Sequence, residues 1–301
     1  ASAEIFESYQ EALKYIENHS YPLVIKASGL AGGKGVVICE DKIHAQDTLH
    51  KFMIDRIFGD AGIKIVIEEF LSGFEASVIV FWNGEKAFPF VSAKDYKKIG
   101  NKDTGANTGG MGTVAPSPEL TAEHFADFEK NILEPTAKGI RENALKFKGF
   151  IFFGLINVKG EPYVIEYNCR MGDPETEVVI PRLKSDILDL FEGVATNTLS
   201  ECDVQFEEKA AATVMMVAGG YPEAYEKGKQ LYGLNVATDS LLFHAGTASD
   251  GPAVLSAGGR VLAVTSYGKN LEIALSRSYA TLENIEFENA YYRKDIGFDV
   301  V

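Results

Sequence analysis

Four segments of this sequence place charged, amide and glycine residues at spacings suited to binding a nucleotide, a metal ion or an anion. The first is the glycine cluster Gly29-Leu30-Ala31-Gly32-Gly33-Lys34-Gly35, set between two β-branched runs, Leu23–Ala27 and Val36–Cys39, that predict a hairpin. It is not a P-loop, because that motif needs Ser or Thr after the lysine and a helix beginning there. Glycine N–H groups can still fold over phosphates, with Lys34 adding positive charge. Lys26, among apolar neighbours, is unfavourable unless it meets an anion. A flexible turn with a lysine reaching solvent explains the segment equally well.

The second segment is Val164-Ile165-Glu166-Tyr167-Asn168-Cys169-Arg170, which predicts a strand. Side chains alternate between the faces of a strand, so Glu166, Asn168 and Arg170 fall on one side. Carboxylate and amide oxygens suit Mg²⁺, and the guanidinium could stabilise charge that develops during a transfer reaction. Three more carboxylates follow within residues 172–177 and would repel Glu166 without a cation or a basic partner. The alternative is the polar outer face of an edge strand.

Two further segments are less specific. The strand and turn at residues 67–75 could present backbone groups to a flat heterocycle and Glu75 to hydroxyl groups, although an ordinary strand and loop is the better interpretation. A glycine-rich segment, residues 107–112, could hold an anionic substrate together with the lysines before it, or could be a mobile loop beside a solvated charge run. These lysines are Lys94, Lys97, Lys98 and Lys102.

Composition limits the classes of function. The chain has 301 residues, 46% of them apolar, and a net charge of -14, which suits two or three sub-domains and argues against a nucleic-acid or anionic-membrane partner. Its three cysteines, Cys39, Cys169 and Cys202, show no CxxC spacing, so a reducing cytosol without disulfides or a zinc site is predicted. No apolar run reaches the roughly 18 residues of a membrane span. The sequence does not begin with Met, which is consistent with an upstream start.

Hydrophobic periodicity and turn residues predict the elements that must position these segments. Helices are predicted over residues 2–19, 45–58 and 270–284, after the N-cap Thr121, from Pro135, and from Ser185 to Ala195. Strands are predicted over residues 64–70 and in two hairpins, 75–81 with 86–92 and 150–158 with 163–168. Residues 105–118 are predicted to form a long loop. A polar stretch, residues 196–208, precedes a small α+β unit.

Taken in this order, the segments resemble the ATP-grasp superfamily and, more narrowly, the family of phosphoribosylamine–glycine ligases (glycinamide ribonucleotide synthetases). Matching stretches such as VIKASGLAGGKGV, NTGGMG, NCRMGDPE, FHAGT and YRKDIG extend over nearly the whole chain. The resemblance implies an α+β fold with ATP held between two ATP-grasp lobes. These lobes are predicted at residues 1–71 and 72–196, with a C-terminal α+β domain at 205–301.

The resemblance also implies an activity and residue roles. The reaction is ATP-dependent joining of glycine to phosphoribosylamine through glycyl phosphate, in cytoplasmic purine biosynthesis. ATP would contact Lys26, Gly32, Gly33, Lys34 and Gly35 through its phosphates, Glu68, Glu69, Phe70 and Leu71 through adenine, and Glu75 through ribose. Mg²⁺ or Mn²⁺ would bind Glu166 and Asn168. The glycine and acyl-phosphate end would contain the catalytic residues Arg170 and Asp173 and the substrate-binding residues Lys97, Asn107, Thr108, Gly109 and Gly110.

Two departures from the family pattern leave alternatives open. ATP-grasp enzymes often carry another metal carboxylate on the preceding strand, where residues 154–158 offer only Asn157. Family members also carry an N-terminal α/β domain that helps bind phosphoribosylamine, and nothing here matches it, so we expect MgATP binding but little product from this chain alone. The alternatives are another carboxylate–amine or biotin-dependent ATP-grasp enzyme, or a nucleotide-binding module without ligase activity. Both a monomer and a fusion to other purine-pathway enzymes stay open.

Overall fold

The computed structural model describes residues 1–31, 35–235 and 238–301. The chain divides into two compact units, Ala1–Gly73 and Phe74–Val301. Each unit combines an antiparallel sheet with helices, so the predicted α+β class is confirmed. No helix within the described ranges is long and apolar enough to cross a membrane.

The first unit is a four-stranded sheet covered on one face by helices. Its strands are β1 (Ala3–Phe6), β2 (Leu23–Ala27), β3 (Val36–Cys39) and β4 (Ile65–Glu69), in the order β1-β4-β2-β3, and its helices are α1 (Tyr9–Glu17) and α2 (Lys42–Leu49), the latter continuing as a π-helical turn, His50–Ile54. β2 and β3 pair with Leu23 opposite Cys39, which confirms the predicted hairpin. Leu23, Ile25, Ile65 and Ile67 are buried with the helices, so the alternate residues of β2 and β4 lie on the other face.

The first residues differ from the prediction. Ala3–Phe6 is an edge strand paired with β4, and the helix begins only at Tyr9. Ser8 is its N-cap, with a hydroxyl that accepts a hydrogen bond from the Glu11 N–H. The apolar spacing from Phe6 to Ile16 fits a helix whichever residue begins it, so only the serine cap could have located the start.

The second unit is built on an eight-stranded sheet. Its strands are β5 (Phe74–Trp82), β6 (Ala87–Asp95), β7 (Lys98–Gly100), β8 (Thr104–Asn107), β9 (Gly112–Ala115), β10 (Gly149–Val158), β11 (Glu161–Asn168), β12 (Ala210–Val217), β13 (Leu241–His244), β14 (Thr247–Asp250), β15 (Ala253–Ser256) and β16 (Arg260–Gly268). The order in the large sheet is β11-β10-β5-β6-β9-β12-β16-β13, while β7 with β8 and β14 with β15 form separate ribbons. The helices are α3 (Ala122–Phe128), α4 (Glu134–Glu142), α5 (Thr176–Val179), α6 (Ile187–Thr196) and α7 (Leu271–Leu282).

Alternation along the long strands builds a core on each face of this sheet. Val78 and Phe153 pack with α3 and the following helical turns, whereas Ile79 and Phe152 pack with α5 and α6. At the other end, β12 and β16 pack against α7. Trp82 and Phe153 are fully buried, as expected for strands covered on both faces. Thr121 caps α3 as predicted, whereas α6 is capped by Asp186 and not by Ser185.

The predicted loop at residues 105–118 contains strands. β8 lies within a ribbon, and β9 lies between β6 and β12 in the sheet. Glycine suits this central position because a Cβ on Gly112 would approach the Thr213 carbonyl oxygen to 2.7 Å. The sheet therefore continues from residues 112–115 directly to residues 210–217. The predicted division into parts ending at 71 and 196 stays a prediction.

Candidate functional site

The outer face of the first unit's sheet combines a cation with apolar surface. Lys26 Nζ lies 2.6 Å from Glu68 Oε2, and the two side chains are only 18% and 21% exposed. Ile5 on β1 and Val36 and Ile38 on β3 are exposed, and they alternate with Phe6, Val37 and Cys39, which pack with the helices on the other face. A lysine among apolar side chains can hold phosphate, and the apolar surface can support a flat ring. These are the properties required by the predicted roles of Lys26 and Glu68.

The other residues predicted for ATP are divided between the units. The Glu69 carboxylate accepts a 2.7 Å hydrogen bond from the Ser2 N–H, so it holds the edge strand β1. Phe70 is 38% exposed and Leu71 is half-buried. The Gly35 carbonyl accepts from the Ala27 N–H and closes the β2–β3 hairpin. Gly32, Gly33 and Lys34 lie outside the described residues, and Glu75 belongs to the second unit.

In the second unit, Lys97 and Glu75 form an ion pair with Nζ 2.9 Å from Oε2. Burial tends to lower the pKa of Lys97, but the carboxylates of Glu75, Asp95 and Glu166 outweigh this effect and raise it. Lys97 therefore stays positively charged close to three carboxylates. Its predicted role in binding an anionic substrate stays a prediction.

Glu166 and its neighbour Tyr167 lie on opposite faces of β11, as strand alternation predicts. The Tyr167 ring packs against Phe153 at a centroid distance of 5.2 Å, on the face covered by α3 and the helical turns after it. Glu166 lies over Gly154 on the opposite face, where a Cβ would approach its Cγ to 2.9 Å. Ile165 is the extra residue of a bulge, because Gly154 pairs with Glu166 and Leu155 with Val164. The missing Cβ of Gly154 leaves room for this carboxylate.

Asn157 is positioned for a different task. Its Oδ1 accepts a 2.8 Å hydrogen bond from the Gly160 N–H and so holds the β10–β11 turn. It also lies opposite Pro162, several residues along the ladder from the pair formed by Gly154 and Glu166. Asn157 is therefore not placed beside Glu166 as a further metal ligand.

The segment at residues 107–112 is fixed to the lysine-bearing strand end. Both the Thr108 N–H and its hydroxyl donate to the Lys97 carbonyl oxygen, at 2.8 and 2.7 Å, and Asn107 pairs with Lys98. The Gly110 N–H donates to Thr108 Oγ1 at 3.0 Å. Gly110 has a φ of +118°, and a Cβ there would overlap Pro174 and lie 2.7 Å from Asp95 Oδ1. The glycine segment thus packs directly against the turn that follows β11.

Carboxylates are concentrated where the segment at residues 107–112 meets the turn after β11. Glu175 is 3% exposed and accepts a hydrogen bond from the Ser77 hydroxyl. Asp95 Oδ1 and Glu177 Oε2 are buried without a hydrogen-bond partner in the described ranges. Burial, with Glu175 nearby, raises the pKa of Asp95 well above its usual value, and burial, with Asp173 nearby, raises the pKa of Glu177 to about 7. Buried carboxylate oxygens without partners suit an ammonium group or a metal ion.

Arg260, at the start of β16, joins two of the predicted substrate residues. Its Nη1 donates to the carbonyl oxygens of Gly109 and Asp173, both at 2.8 Å, and lies 3.0 Å from Asp173 Oδ1. The sequence did not predict this residue as part of the site, because an arginine opening a distant strand carries no local signal. Asp95, Glu175 and Glu177 were also missed, although the last two lie in the acidic run at residues 172–177 that was noted.

Two of the predicted site residues, Arg170 and Asn168, make fewer contacts with the rest of the site. Arg170 is exposed, and its Nη1 donates to the Met171 carbonyl oxygen at 2.9 Å. Asn168, at the end of β11, is half-buried opposite Phe152. No group of three or more His, Cys, Asp or Glu side chains among the described residues is arranged to hold a metal ion. A metal at Glu166 and Asn168 would therefore need further oxygen ligands from substrate or water.

Comparison with known proteins identifies the relatives of this chain. Residues 1–176 match the family model of the phosphoribosylglycinamide synthetase ATP-grasp (A) domain, and residues 211–299 match that of the C domain. The chain belongs to the phosphoribosylglycinamide synthetase family. It is 46% identical over 301 residues to the phosphoribosylamine–glycine ligase of Fusobacterium nucleatum and 41% identical over 305 residues to that of Salmonella typhimurium. It spans 71% of the length of each.

Solved structures agree with this family assignment. The crystal structure of phosphoribosylamine–glycine ligase from Thermotoga maritima matches with a TM-score of 0.87 and 33% identity, over 98% of this chain and 74% of that one. A biotin carboxylase domain from Hydrogenobacter thermophilus, in complex with MgADP, matches with a TM-score of 0.73 at 16% identity, over 95% of this chain and 62% of that one, which shows the fold alone. The phosphoribosylglycinamide synthetase family and the ATP-grasp fold predicted from the motifs are thus confirmed.

Proposed function

We propose that the protein joins glycine to phosphoribosylamine at the expense of ATP, giving glycinamide ribonucleotide, ADP and phosphate. The observation that carries this proposal is the meeting of Lys97, the Thr108–Gly110 segment, Asp173 and the buried carboxylates around Glu177 in one part of the second unit. Such a site offers positive charge to a carboxylate and negative charge to an ammonium group, as a small zwitterion requires. The names of its relatives support the same reaction.

The proposed chemistry has two displacements. A glycine carboxylate oxygen attacks the γ-phosphorus of ATP, ADP leaves, and glycyl phosphate forms. The phosphoribosylamine nitrogen then attacks the carbonyl carbon, phosphate leaves with the shared oxygen, and the nitrogen loses a proton. The protein contributes mainly positioning and charge stabilisation, as in other phosphoryl transfers.

The family resemblance supports the residue roles. Lys26 and Gly35, with Gly32, Gly33 and Lys34 outside the described residues, would hold the ATP phosphates, and Glu68–Leu71 with Glu75 would hold the nucleoside. Lys97 and the Thr108–Gly110 segment would hold the glycine carboxylate. Arg170 and Asp173 would act where negative charge develops.

Glu166 offers a carboxylate to a divalent cation, in space left free by Gly154. No group of three or more His, Cys, Asp or Glu side chains in the described part of the chain surrounds it, so the remaining oxygen ligands would come from substrate or water. Glu166 and Asn168 would hold Mg²⁺ or Mn²⁺, which would neutralise phosphate charge during transfer. We also propose a cytoplasmic location, which three free cysteines fit. The chemistry of the site itself calls for small-molecule substrates.

The test supplies ATP, Mg²⁺, glycine and freshly generated phosphoribosylamine, and measures ADP together with glycinamide ribonucleotide by mass. We expect ADP release that depends on glycine, and the small amount of product expected from this chain alone should contain glycine. Reactions with bicarbonate in place of glycine, and reactions without an acceptor, are the controls. The proposal would be overturned if ADP release did not depend on glycine, or if it depended on bicarbonate instead. Nucleotide binding without any turnover would favour a binding module.

A further inference from the structure

We propose that Arg260 and Tyr221 clamp the Gly109 peptide from both sides and so position the glycine-binding segment. They are positioning residues, since they act through Gly109 and Asp173, and the inference rests on the proposed function. Neither residue was predicted from the sequence.

The clamp consists of direct contacts with the two polar groups of one residue. The Gly109 N–H donates to the Tyr221 hydroxyl at 3.0 Å, and the Gly109 carbonyl accepts from Arg260 Nη1 at 2.8 Å. The same nitrogen donates to the Asp173 carbonyl at 2.8 Å and pairs with the Asp173 carboxylate at 3.0 Å. Arg260 thus ties the glycine segment to the turn after β11.

Local packing holds both clamp residues in place. Gly259, beside Arg260, leaves room for the Tyr221 ring, which a Cβ there would overlap. Glycine at 109 also allows the close approach of Arg260, because a Cβ there would lie 3.0 Å from its guanidinium carbon and the side chain would have to shift. The Arg260 side chain is only 20% exposed, so its contacts are partly shielded from water. Shielded, charge-assisted contacts fix geometry more firmly than exposed ones.

The clamp connects parts that lie far apart in the sequence. Gly109 follows β8, Asp173 follows β11, and Arg260 opens β16, which belongs to the region matched by the family C domain. Gly110, the next residue, packs against Pro174 and Asp95, beside the buried carboxylates. A shift of the Gly109 peptide would therefore move the segment on which a small amino acid depends, while the Lys26 strand belongs to the other unit.

The direct test measures amide exchange in the protein without ligands. Tyr221→Phe keeps the ring packing and removes only the hydroxyl acceptor, so exchange of the Gly109 amide should speed up by about tenfold or more. Arg260→Gln should speed exchange across residues 108–111. The controls are Tyr225→Phe, whose ring lies 6.2 Å from that of Tyr221, and Arg277→Gln, which loses one charge and a hydrogen bond to the Tyr267 carbonyl. Unchanged exchange in both clamp variants would overturn the clamp.

A second measurement tests whether the clamp positions the glycine-binding segment. In glycine-dependent ADP release, Arg260→Gln should raise the KM for glycine by about tenfold to a hundredfold and leave the KM for ATP within about twofold. Millimolar guanidinium should restore part of the loss in Arg260→Ala, which a general folding defect would not allow. Equal changes in both KM values would overturn the positioning role. Absence of glycine-dependent turnover in the wild type would contradict the proposed function, while the exchange experiment would still decide the clamp.

Discussion

Glu177 shows how the environment of one residue couples the site to pH. Burial, with Asp173 nearby, raises its pKa from 4.5 to about 7, so between these values the folded protein binds a proton that the unfolded chain has released. The free energy of unfolding should therefore fall as pH rises through this window. Glu177→Gln, which resembles the protonated acid, should match the wild type at about pH 5 and exceed it by roughly 1–3 kcal/mol at about pH 8.

Urea unfolding in the presence of a metal chelator measures this difference. The control is Glu161→Gln, at the exposed start of β11. A variant whose advantage over the wild type is the same at every pH would show that the carboxyl does not titrate in this window.

Gly110 is a residue where backbone conformation and packing both require glycine. Its φ of +118° is unfavourable for other residues, and a Cβ would overlap Pro174 and crowd Asp95. We expect Gly110→Ala to lower glycine-dependent ADP release by about a hundredfold, as misplacement of a substrate segment can do. Gly139→Ala, in α4 with open space around it, should keep full activity and gain up to about 1 kcal/mol of stability. Equal activity in the two variants would show that the segment tolerates a side chain.

At the scale of elements, β2 and β4 present the Lys26–Glu68 pair that we assign to ATP. Lys26→Met should weaken binding of a non-hydrolysable MgATP analogue by about tenfold or more in calorimetry, because a charge-assisted contact with phosphate is lost. The double variant Lys26→Met/Glu68→Gln separates that loss from repulsion by the freed carboxylate. Lys64→Met, which breaks an exposed pair with Glu7, is the control. Unchanged affinity in both Lys26 variants would remove this lysine from the site.

The strand β11 carries a second prediction at this scale. Glu166→Ala and Asn168→Ala should each lower metal-dependent ADP release by more than they weaken ATP binding, because the metal acts on charge that develops during transfer. Titration of Mg²⁺ against ADP release gives the rate and the metal midpoint. Glu161→Ala, at the other end of the same strand, should change neither. If the parent rate and midpoint persist in both site variants, this face of β11 is structural.

Much of this element structure could be predicted from local patterns. The β2–β3 hairpin and the Thr121 cap follow from short-range residue choices, and strand alternation correctly separated Glu166 from Tyr167. The strand at Gly112–Ala115 could not be predicted locally, because a glycine-rich sequence becomes a central strand only through its partners β6 and β12. Asn157 likewise carries the right atoms for a metal, and only its hydrogen bond to Gly160 shows that it holds a turn.

At the scale of the whole molecule, contacts between residues far apart in the sequence could not be predicted. The motifs marked Lys97, Thr108 and Asp173 as site residues, yet Arg260, which ties two of these segments together, lies in a strand whose sequence is ordinary. The same holds for Arg293, whose partners Lys98 and Asp103 lie almost two hundred residues earlier. Sequence periodicity describes single elements, whereas such pairs depend on how distant segments pack together in the folded unit.

Arg293 therefore provides the prediction for the second unit as a whole. It is fully buried, and its guanidinium contacts Asp295 at 2.9 and 3.1 Å, Asp103 at 2.6 Å and the Lys98 carbonyl at 3.1 Å. Arg293→Met would leave these carboxylates without their cation, which should lower the free energy of unfolding by about 3–5 kcal/mol at neutral pH. Lys294→Met, at the exposed neighbouring position, should stay within about 0.5 kcal/mol of the wild type.

Unfolding at acid pH distinguishes the loss of ion pairs in Arg293→Met from the loss of packing. Burial tends to raise the pKa of Asp295, but hydrogen bonds, first of all from Arg293, hold it below 3.8, so the stabilisation is present above that value and is lost as the pH falls through the folded pKa. The difference between Arg293→Met and the wild type in urea unfolding should therefore shrink as the pH falls below 3.8. Hydrogen exchange at neutral pH should locate the loss of protection in Phe74–Val301, with Ala1–Gly73 unchanged. The rings of Tyr96 and Phe298 lie 5.4 and 5.9 Å from the Arg293 guanidinium. If the difference in unfolding free energy is constant with pH, Arg293 stabilises the unit by packing against these rings and not through its charge.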